Sequence, residues 1–327
     1  MLFYTANGSD PTRRFVGNLI LLDMQIHFLD ASPMPEVLII GAGPAGLAAA
    51  LQLRRRGVDF MLFERQRVGG LLNNANWVEN YPGFPGGITG EALVDLFHRQ
   101  VTQLGVEVKY EEVRSLDYAA AQFQAEASQA TYLAPFAIIA SGTIGHVPQG
   151  IHPPENLRDR VLTEILPIKD LSGKRLVIIG AGDLAFDYAL NLGRKNQVLI
   201  LNRSGERRCL PLLWERAREM TSVSYREQIQ LVGVEAGDQA ALNLNTVSPG
   251  GTQSIPCDYL VYAIGRGPNT GFLSEHVTQI ADELEQRGVL HCIGDVKNGI
   301  YRQVAIAVGD GILAAMQIIK TLEGKHI

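Results

Sequence analysis

From Val37 onward, short unbroken apolar runs alternate with longer stretches of helical character, and this alternation predicts the architecture. Val37-Leu38-Ile39-Ile40 reads as a strand buried on both faces, Pro44 to Arg56 as a helix, and Phe60-Met61-Leu62-Phe63 as the next strand. A glycine- and proline-rich loop lies between Gly69 and Gly90, and a helix is predicted from about Glu91 to Gly105. A β-rich stretch from Val106 to Phe136 then ends in the apolar run Phe136-Ala137-Ile138-Ile139-Ala140. Pro148, Pro153 and Pro154 mark a linker.

Beyond the linker the pattern repeats. Arg175 to Ile179 is a predicted strand, Leu184 to Leu192 a helix and Gln197 to Leu201 a strand. The last third offers strands at Tyr259 to Ile264 and Val289 to Ile293, and a terminal helix from about Gln303 to Leu322. Strand–helix–strand units in this order predict an α/β fold with parallel sheets. The expected organisation is two Rossmann-like dinucleotide-binding domains, the second inserted in the first. Residues 34–146 and 263–327 would form one domain and 147–262 the other, with 1–33 as an N-terminal extension. In that extension, Arg13-Arg14 precedes an apolar run that Asp23 ends too early for a membrane span, and Met34-Pro35-Glu36 stands where a chain of this type is expected to begin.

Both repeats carry glycine motifs at the strand-to-helix turn. Gly41-Ala42-Gly43-Pro44-Ala45-Gly46 is a full G-x-G-x-x-G. Its first glycine allows the tight turn, its second lets a pyrophosphate approach the backbone, and its third lets helix and strand pack closely. The helix N-terminus then offers unpaired N–H groups to phosphate. Glu64, at the end of the next strand, is placed to accept hydrogen bonds from ribose hydroxyls.

In the second motif, Gly180-Ala181-Gly182-Asp183-Leu184-Ala185, alanine replaces the third glycine, a tolerated change. Where an acid would grip a 2′-hydroxyl, the chain has Asn202-Arg203-Ser204, with Arg207 and Arg208 close behind. Guanidinium groups in place of a carboxylate favour a 2′-phosphate, hence NADPH over NADH, although a solvated basic face would have the same composition.

Composition narrows the partners. The 327 residues are 46% hydrophobic with a net charge of -5, so cores are affordable in material and nucleic acid is not expected as a partner. Cys209, Cys257 and Cys292 lie too far apart for a zinc site or dithiol and are too few for a disulfide framework, which predicts a reducing, cytoplasmic setting. Arg207 and Arg208 beside Cys209 would be expected to lower its thiol pKa. The histidines form no metal-ligand spacing.

Further segments resemble one family, the low-molecular-weight thioredoxin reductases and their relatives. Gly69-Gly70-Leu71-Leu72 and Val78-Glu79-Asn80-Tyr81-Pro82-Gly83-Phe84 resemble its flavin-side loop. Ala140-Ser141-Gly142-Thr143 and Ile264-Gly265-Arg266-Gly267-Pro268-Asn269-Thr270 resemble its two crossovers. Gly294-Asp295-Val296 and Tyr301-Arg302-Gln303 resemble the segment that closes over the flavin. The resemblance implies FAD at the first motif, a nicotinamide nucleotide at the second, a homodimer, and rotation of the inserted domain during turnover. It further implies that Gly70, Leu71 and Asn80 lie on the flavin side, that Ala140 and Gly142 return to the pyrophosphate region, and that Asp295 binds the ribityl or pyrophosphate portion of FAD. Arg302, Gln303 and Val304 would bring backbone and a helix N-terminus to the flavin edge, where negative charge is stabilised.

One departure alters the expected reaction. The family's Cys-x-x-Cys precedes the second glycine strand, and that position holds Thr163-Glu164-Ile165-Leu166. These side chains cannot perform dithiol–disulfide exchange. The expectation is therefore an NAD(P)H oxidoreductase passing electrons through FAD to an external acceptor: ferredoxin or flavodoxin, a quinone or a small molecule. Its alternatives are an FAD-binding sensor without nicotinamide turnover, or a ferredoxin-reduced flavoenzyme with a vestigial second domain.

Overall fold

The computed structural model describes residues 34–324; the expectation for the extension at 1–33 falls outside the described residues. Two parallel five-stranded sheets carry the fold. The first has the order Leu290–Cys292, Phe136–Ile139, Val37–Ile40, Phe60–Phe63, Val108–Lys109. Its central strand pairs in register with both neighbours, Ile40 facing Phe63 on one side and Ile139 on the other. Val37, Leu38 and Ile39 are fully buried, which explains why the sequence shows a continuous apolar run there.

The second sheet has the order Val223–Arg226, Gln197–Leu201, Arg175–Ile179, Tyr259–Tyr262, Val161–Leu162. All of its pairings are parallel. Each sheet also carries an antiparallel three-stranded annex, Val113–Ala119 to Thr131–Ala134 for the first and Gln230–Ala236 to Gly251–Cys257 for the second. The chain crosses between the units twice, and the crossings pair with each other as antiparallel strands Thr143–Gly145 and Arg266–Pro268. From Pro35 onward the whole forms one unit by its internal contacts.

The last helix, Val304–Gly324, is long and apolar enough by composition to cross a membrane. Its small-residue face instead packs on the helix Pro44–Arg55: Gly311 comes so close that a Cβ there would lie 2.2 Å from the Ala45 carbonyl oxygen. Ala307, Ala314, Ala315, Ile318 and Ile319 join the core formed by Val37, Ile39 and Leu53. That helix is a core element of the first unit.

Candidate functional site

At the first motif, Gly41 has φ +108°, and a side chain there would strike the Ala140 carbonyl oxygen at 2.4 Å. The second motif repeats the geometry: Gly180 has φ +142° and the blocking atom is the Ala263 carbonyl oxygen, 2.3 Å away. In each case the chain turns away from the central strand directly beside its parallel neighbour, and only glycine fits. Gly46 packs the helix onto the turn, its hypothetical Cβ lying 1.9 Å from the Gly41 oxygen. Gly43, by contrast, faces open space, as do Gly142 and, in the second unit, Gly182.

The first motif opens into a cleft of about 640 Å³. Gly41, Gly43, Pro44, Ala45, Glu64, Gly70, Leu71, Ala140, Gly142, Asp295, Arg302, Gln303 and Val304 all line it, from segments far apart in sequence. Gly46 lies beneath the turn, and Asn80 meets the cleft through its 2.6 Å donation to the Gln303 side-chain oxygen. The volume falls within the usual range for cofactor clefts. Two features show that the cleft fits a dinucleotide. Side-chain-free backbone at Gly43 and Gly142 leaves room for close approach, and the buried Nε of Arg302 has no hydrogen-bond partner in the protein. An unpartnered buried cationic donor in a cleft wall suits an anionic or carbonyl-bearing ligand.

Electrostatics around Asp295 follow from the same wall. Burial raises its carboxyl above the ordinary aspartate range, while Arg302 and Arg266 act in the opposite direction. Glu64 lines the cleft, and its oxygens accept N–H bonds from Ala42 at 3.1 Å and Gln66 at 2.9 Å. It therefore also braces the turn that carries the first motif. Ser141 and Asn269, given no binding role in the sequence, line the cleft and stitch the crossovers together; the Ser141 hydroxyl donates to the Asn269 carbonyl at 2.6 Å. Each sits on its own crossover segment, and only tertiary pairing brings them together.

The segment Thr163–Leu166 also reaches this cleft, for Glu164 and Leu166 line it. The segment is pinned on both sides. Asn74 Oδ1 accepts the backbone N–H groups of Ile165 and Leu166 at 3.0 and 2.8 Å. Arg266, whose side chain is 6% exposed, donates to Thr143 Oγ1, to the Thr143 and Thr163 carbonyls, and to Glu164.

No residue of the second glycine motif lines the cleft. Around that motif, Asp183 accepts the Leu210 N–H at 2.7 Å, and Leu184 packs partly buried against the second unit's core. Asn202 is buried, its amide donating to the Glu206 carbonyl and the Tyr225 hydroxyl, so it shapes the loop from within. Arg207 stacks on Trp214, its guanidinium carbon 3.8 Å from the ring centroid. Arg203 and Arg208 are exposed, with Arg208 tied to Ala181 through its backbone N–H, beside Gly182.

The expectation for Cys209 is corrected. Burial raises its thiol pKa, and the Arg207 charge, engaged with Trp214, opposes this only as a lesser effect. Burial also pushes Cys257 and Cys292 up to about 12. All three are free thiols and none lines the cleft.

Two Rossmann-like units joined by paired crossovers, each with its own glycine turn, define a flavoprotein oxidoreductase that uses FAD with a nicotinamide nucleotide. Residues 35–311 match the family described as pyridine nucleotide-disulphide oxidoreductase. The chain belongs to that family, on its low-molecular-weight thioredoxin reductase-like branch, whose cofactors are FAD and NADPH. It is 32% identical over 303 residues to a thioredoxin reductase of Listeria monocytogenes, covering 88% of this chain and 94% of that one. It is 30% identical over 296 residues to a bifunctional thioredoxin reductase/thioredoxin of Mycobacterium leprae, covering 86% of this chain but only 64% of that longer relative. Among solved structures, Lactococcus lactis thioredoxin reductase in its FR conformation superposes with TM-score 0.76 at 26% identity, covering 88% of this chain and 98% of that one.

Proposed function

We propose that this chain is an NADPH-dependent FAD oxidoreductase that delivers electrons from its flavin to an external acceptor without an internal dithiol. The observation that carries the reading is the cleft wall at Thr163–Leu166. Where the family resemblance calls for sulfur, a carboxylate paired to Arg266 and a leucine face the cleft. When bound, FAD supplies two-electron acceptance from hydride and onward transfer. The protein's part is placement. The first motif and Asp295 hold the cofactor, and Asn80 orients Gln303 at the start of the last helix. Val304 and its neighbours direct that helix's N-terminus at the cleft.

In the second unit, Gly180, Gly182, Asp183 and Leu184 form the nucleotide's pyrophosphate turn, with Asn202 supporting the loop that carries Arg203. Arg203 and Arg208 receive the 2′-phosphate. Arg207 serves mainly as the lid of Trp214. Removing Arg203 or Arg208 is expected to raise the KM for NADPH by ten- to a hundredfold, since a charge-assisted hydrogen bond contributes roughly 1.5–3 kcal/mol. The KM for NADH should stay unchanged, and Arg207→Ala should affect both nucleotides alike; steady-state kinetics with each nucleotide reads the difference.

The acceptor is a small redox protein such as ferredoxin or flavodoxin, a quinone or another small molecule, and the working form is a cytoplasmic homodimer. Hydride transfer requires reacting atoms about 3–3.5 Å apart, so the inserted unit (147–262) must rotate to bring its nucleotide to the cleft. Anaerobic stopped-flow absorbance near 450 nm tests the donor half. NADPH should bleach the flavin within a few turnovers of mixing, faster than NADH, and titration should end at one two-electron equivalent per flavin. Consumption of a second equivalent would reveal a dithiol and defeat the reading. Bleaching by dithionite but by neither nucleotide would leave the sensor or a ferredoxin-fed flavin.

A further inference from the structure

Between the flavin-side loop and the inserted unit lies a set of polar contacts that must separate before the second motif can reach the cleft. Several are at least partly open to solvent: Arg216 with Glu79, both bonds at 2.8 Å; Lys169 with Glu91 at 3.1 Å and with the Asn73 carbonyl at 3.0 Å; Asn191 with the Asn74 carbonyl at 3.4 Å; and Arg194 with the Asn76 amide oxygen at 2.7 Å. Pairs of this kind contribute little each and are screened by salt. Two further contacts tie the loop to the inserted unit. One is Asn74, which accepts from Ile165 and Leu166. The other is the partly buried Asp187, on the helix Asp183–Leu192, whose Oδ2 accepts the Asn76 N–H at 3.0 Å.

We propose that Asp187 is a positioning residue: its carboxylate, enclosed between helix and loop, sets how readily the nucleotide-binding unit leaves the flavin-side loop. The proposal rests on the reading above that NADPH reduces the flavin from the second motif. Asp187 has an unusual surrounding for a carboxylate. The cations that face it are Lys169 and Arg194, yet Lys169 is bound to Glu91 and to the Asn73 carbonyl, and Arg194 to Asn76. Neither forms an ion pair with it among the described residues. Its other neighbours are the backbone N–H groups of Asn76 and Trp77 and the buried phenol of Tyr188.

Burial outweighs these partners and raises the Asp187 carboxyl to about 6. The sign follows from linkage. In the clasped arrangement Asp187 holds its proton more tightly than a solvated aspartate with a pKa near 3.9, so low pH favours the clasp. As pH rises through the clasped value, the charge forms in a place that disfavours it, and separation of the units relieves the cost. Between pH 5 and pH 7 the ratio of open to clasped protein should rise roughly tenfold.

The test uses the FAD-loaded protein and saturating NADPH in anaerobic stopped flow from pH 5 to 8. Wild type should show a limiting rate of flavin reduction that rises about tenfold toward pH 7 and then levels off. Asp187→Asn keeps the shape and the acceptor oxygen but never ionises, so its rate should be flat from pH 5 to 8 and lie about tenfold below wild type at pH 5. A second readout does not depend on the donor. In a Trp214→Phe background, Trp77 is the sole tryptophan and sits on the clasped loop. Its acrylamide quenching should increase through the same transition, and Asp187→Asn should abolish the increase. Parallel pH profiles for wild type and Asp187→Asn, or quenching of Trp77 with no transition near pH 6, would overturn the proposal. A Trp77 transition lost in Asp187→Asn, with no bleaching by NADPH at any pH, would uphold the clasp and defeat the donor assignment instead.

Discussion

Replacing Gly46 with alanine is expected to give a colourless, unstable protein, while the same change at Gly43 gives a stable one that binds FAD poorly. Both glycines belong to one motif, but they meet different surroundings. At Gly46 the added Cβ lies 1.9 Å from the Gly41 oxygen, and Gly41 cannot retreat because it is itself held against the Ala140 carbonyl. The helix cannot shift freely either, since it is locked to the last helix where Gly311 meets Ala45. Overpacking against fixed backbone costs about 3 kcal/mol or more. At a few degrees of Tm per kcal/mol for a protein of this size, a fall of about 6–12 °C should accompany the lost colour. At Gly43 nothing stands within 4 Å, so the Cβ projects into space that the cofactor's phosphates need, and the fold is undisturbed. The ratio of absorbance at 450 and 280 nm, with a melting curve, separates the two. A yellow Gly46→Ala protein with unchanged Tm would contradict this account of the turn.

The second large effect is expected at Arg266. Its guanidinium is almost wholly buried and donates to the Thr143 hydroxyl, to two carbonyls and to Glu164, while its own carbonyl accepts from Arg302. It thus binds one crossover strand to the other and both to the segment at Thr163–Leu166. Arg266→Ala leaves several acceptors without partners and strands the Glu164 charge, at a cost of about 3–5 kcal/mol. Arg266→Lys restores the charge but lacks the fork that serves the separate acceptors, and should recover less than half of the loss. Chemical denaturation of the apoprotein measures both. Equal stability in wild type and Arg266→Ala would mean that the crossovers are held by their strand pairing alone.

Much of this fold was legible in local patterns. Unbroken aliphatic runs at 37–40 and 176–179 lie at the centre of their sheets, and glycine motifs stand at the strand ends where both turns occur. The sequence reading did not anticipate the helix Pro211–Glu219, whose one fully buried residue is Ala217 and whose other side chains give only a weak apolar face. The antiparallel annex at 230–257 was also passed over, although Leu242, Leu244 and Thr246 alternate inward with the period of a half-buried strand.

The candidate site divides along the same line. Residues on the glycine turns and the closing segment were legible because each motif has a local geometric reason. The roles of Asn74, Asp187 and Arg266 were not, because each acts through partners about a hundred residues away. Two side chains changed meaning on contact. Asn202 faces inward to shape its loop, and Arg207 lies flat on Trp214, so proximity in sequence overstated what either offers to a ligand or to Cys209.

The central strand of the first sheet lies beside Phe136–Ile139, and that strand lies beside Leu290–Cys292; the helix after the first glycine turn rests on Val304–Gly324. The inserted unit needs no such distant neighbours, for its sheet draws on Val161 to Tyr262 alone. On a ribosome adding 5–20 residues per second, about ten to forty seconds separate synthesis of Ile139 from synthesis of the last helix. During that interval the nascent chain can complete its inserted half, while the outer half stays open along one side. Closure of the outer half is thereby deferred until Val304–Gly324 has been made, so the inserted half can be finished while the outer half is not.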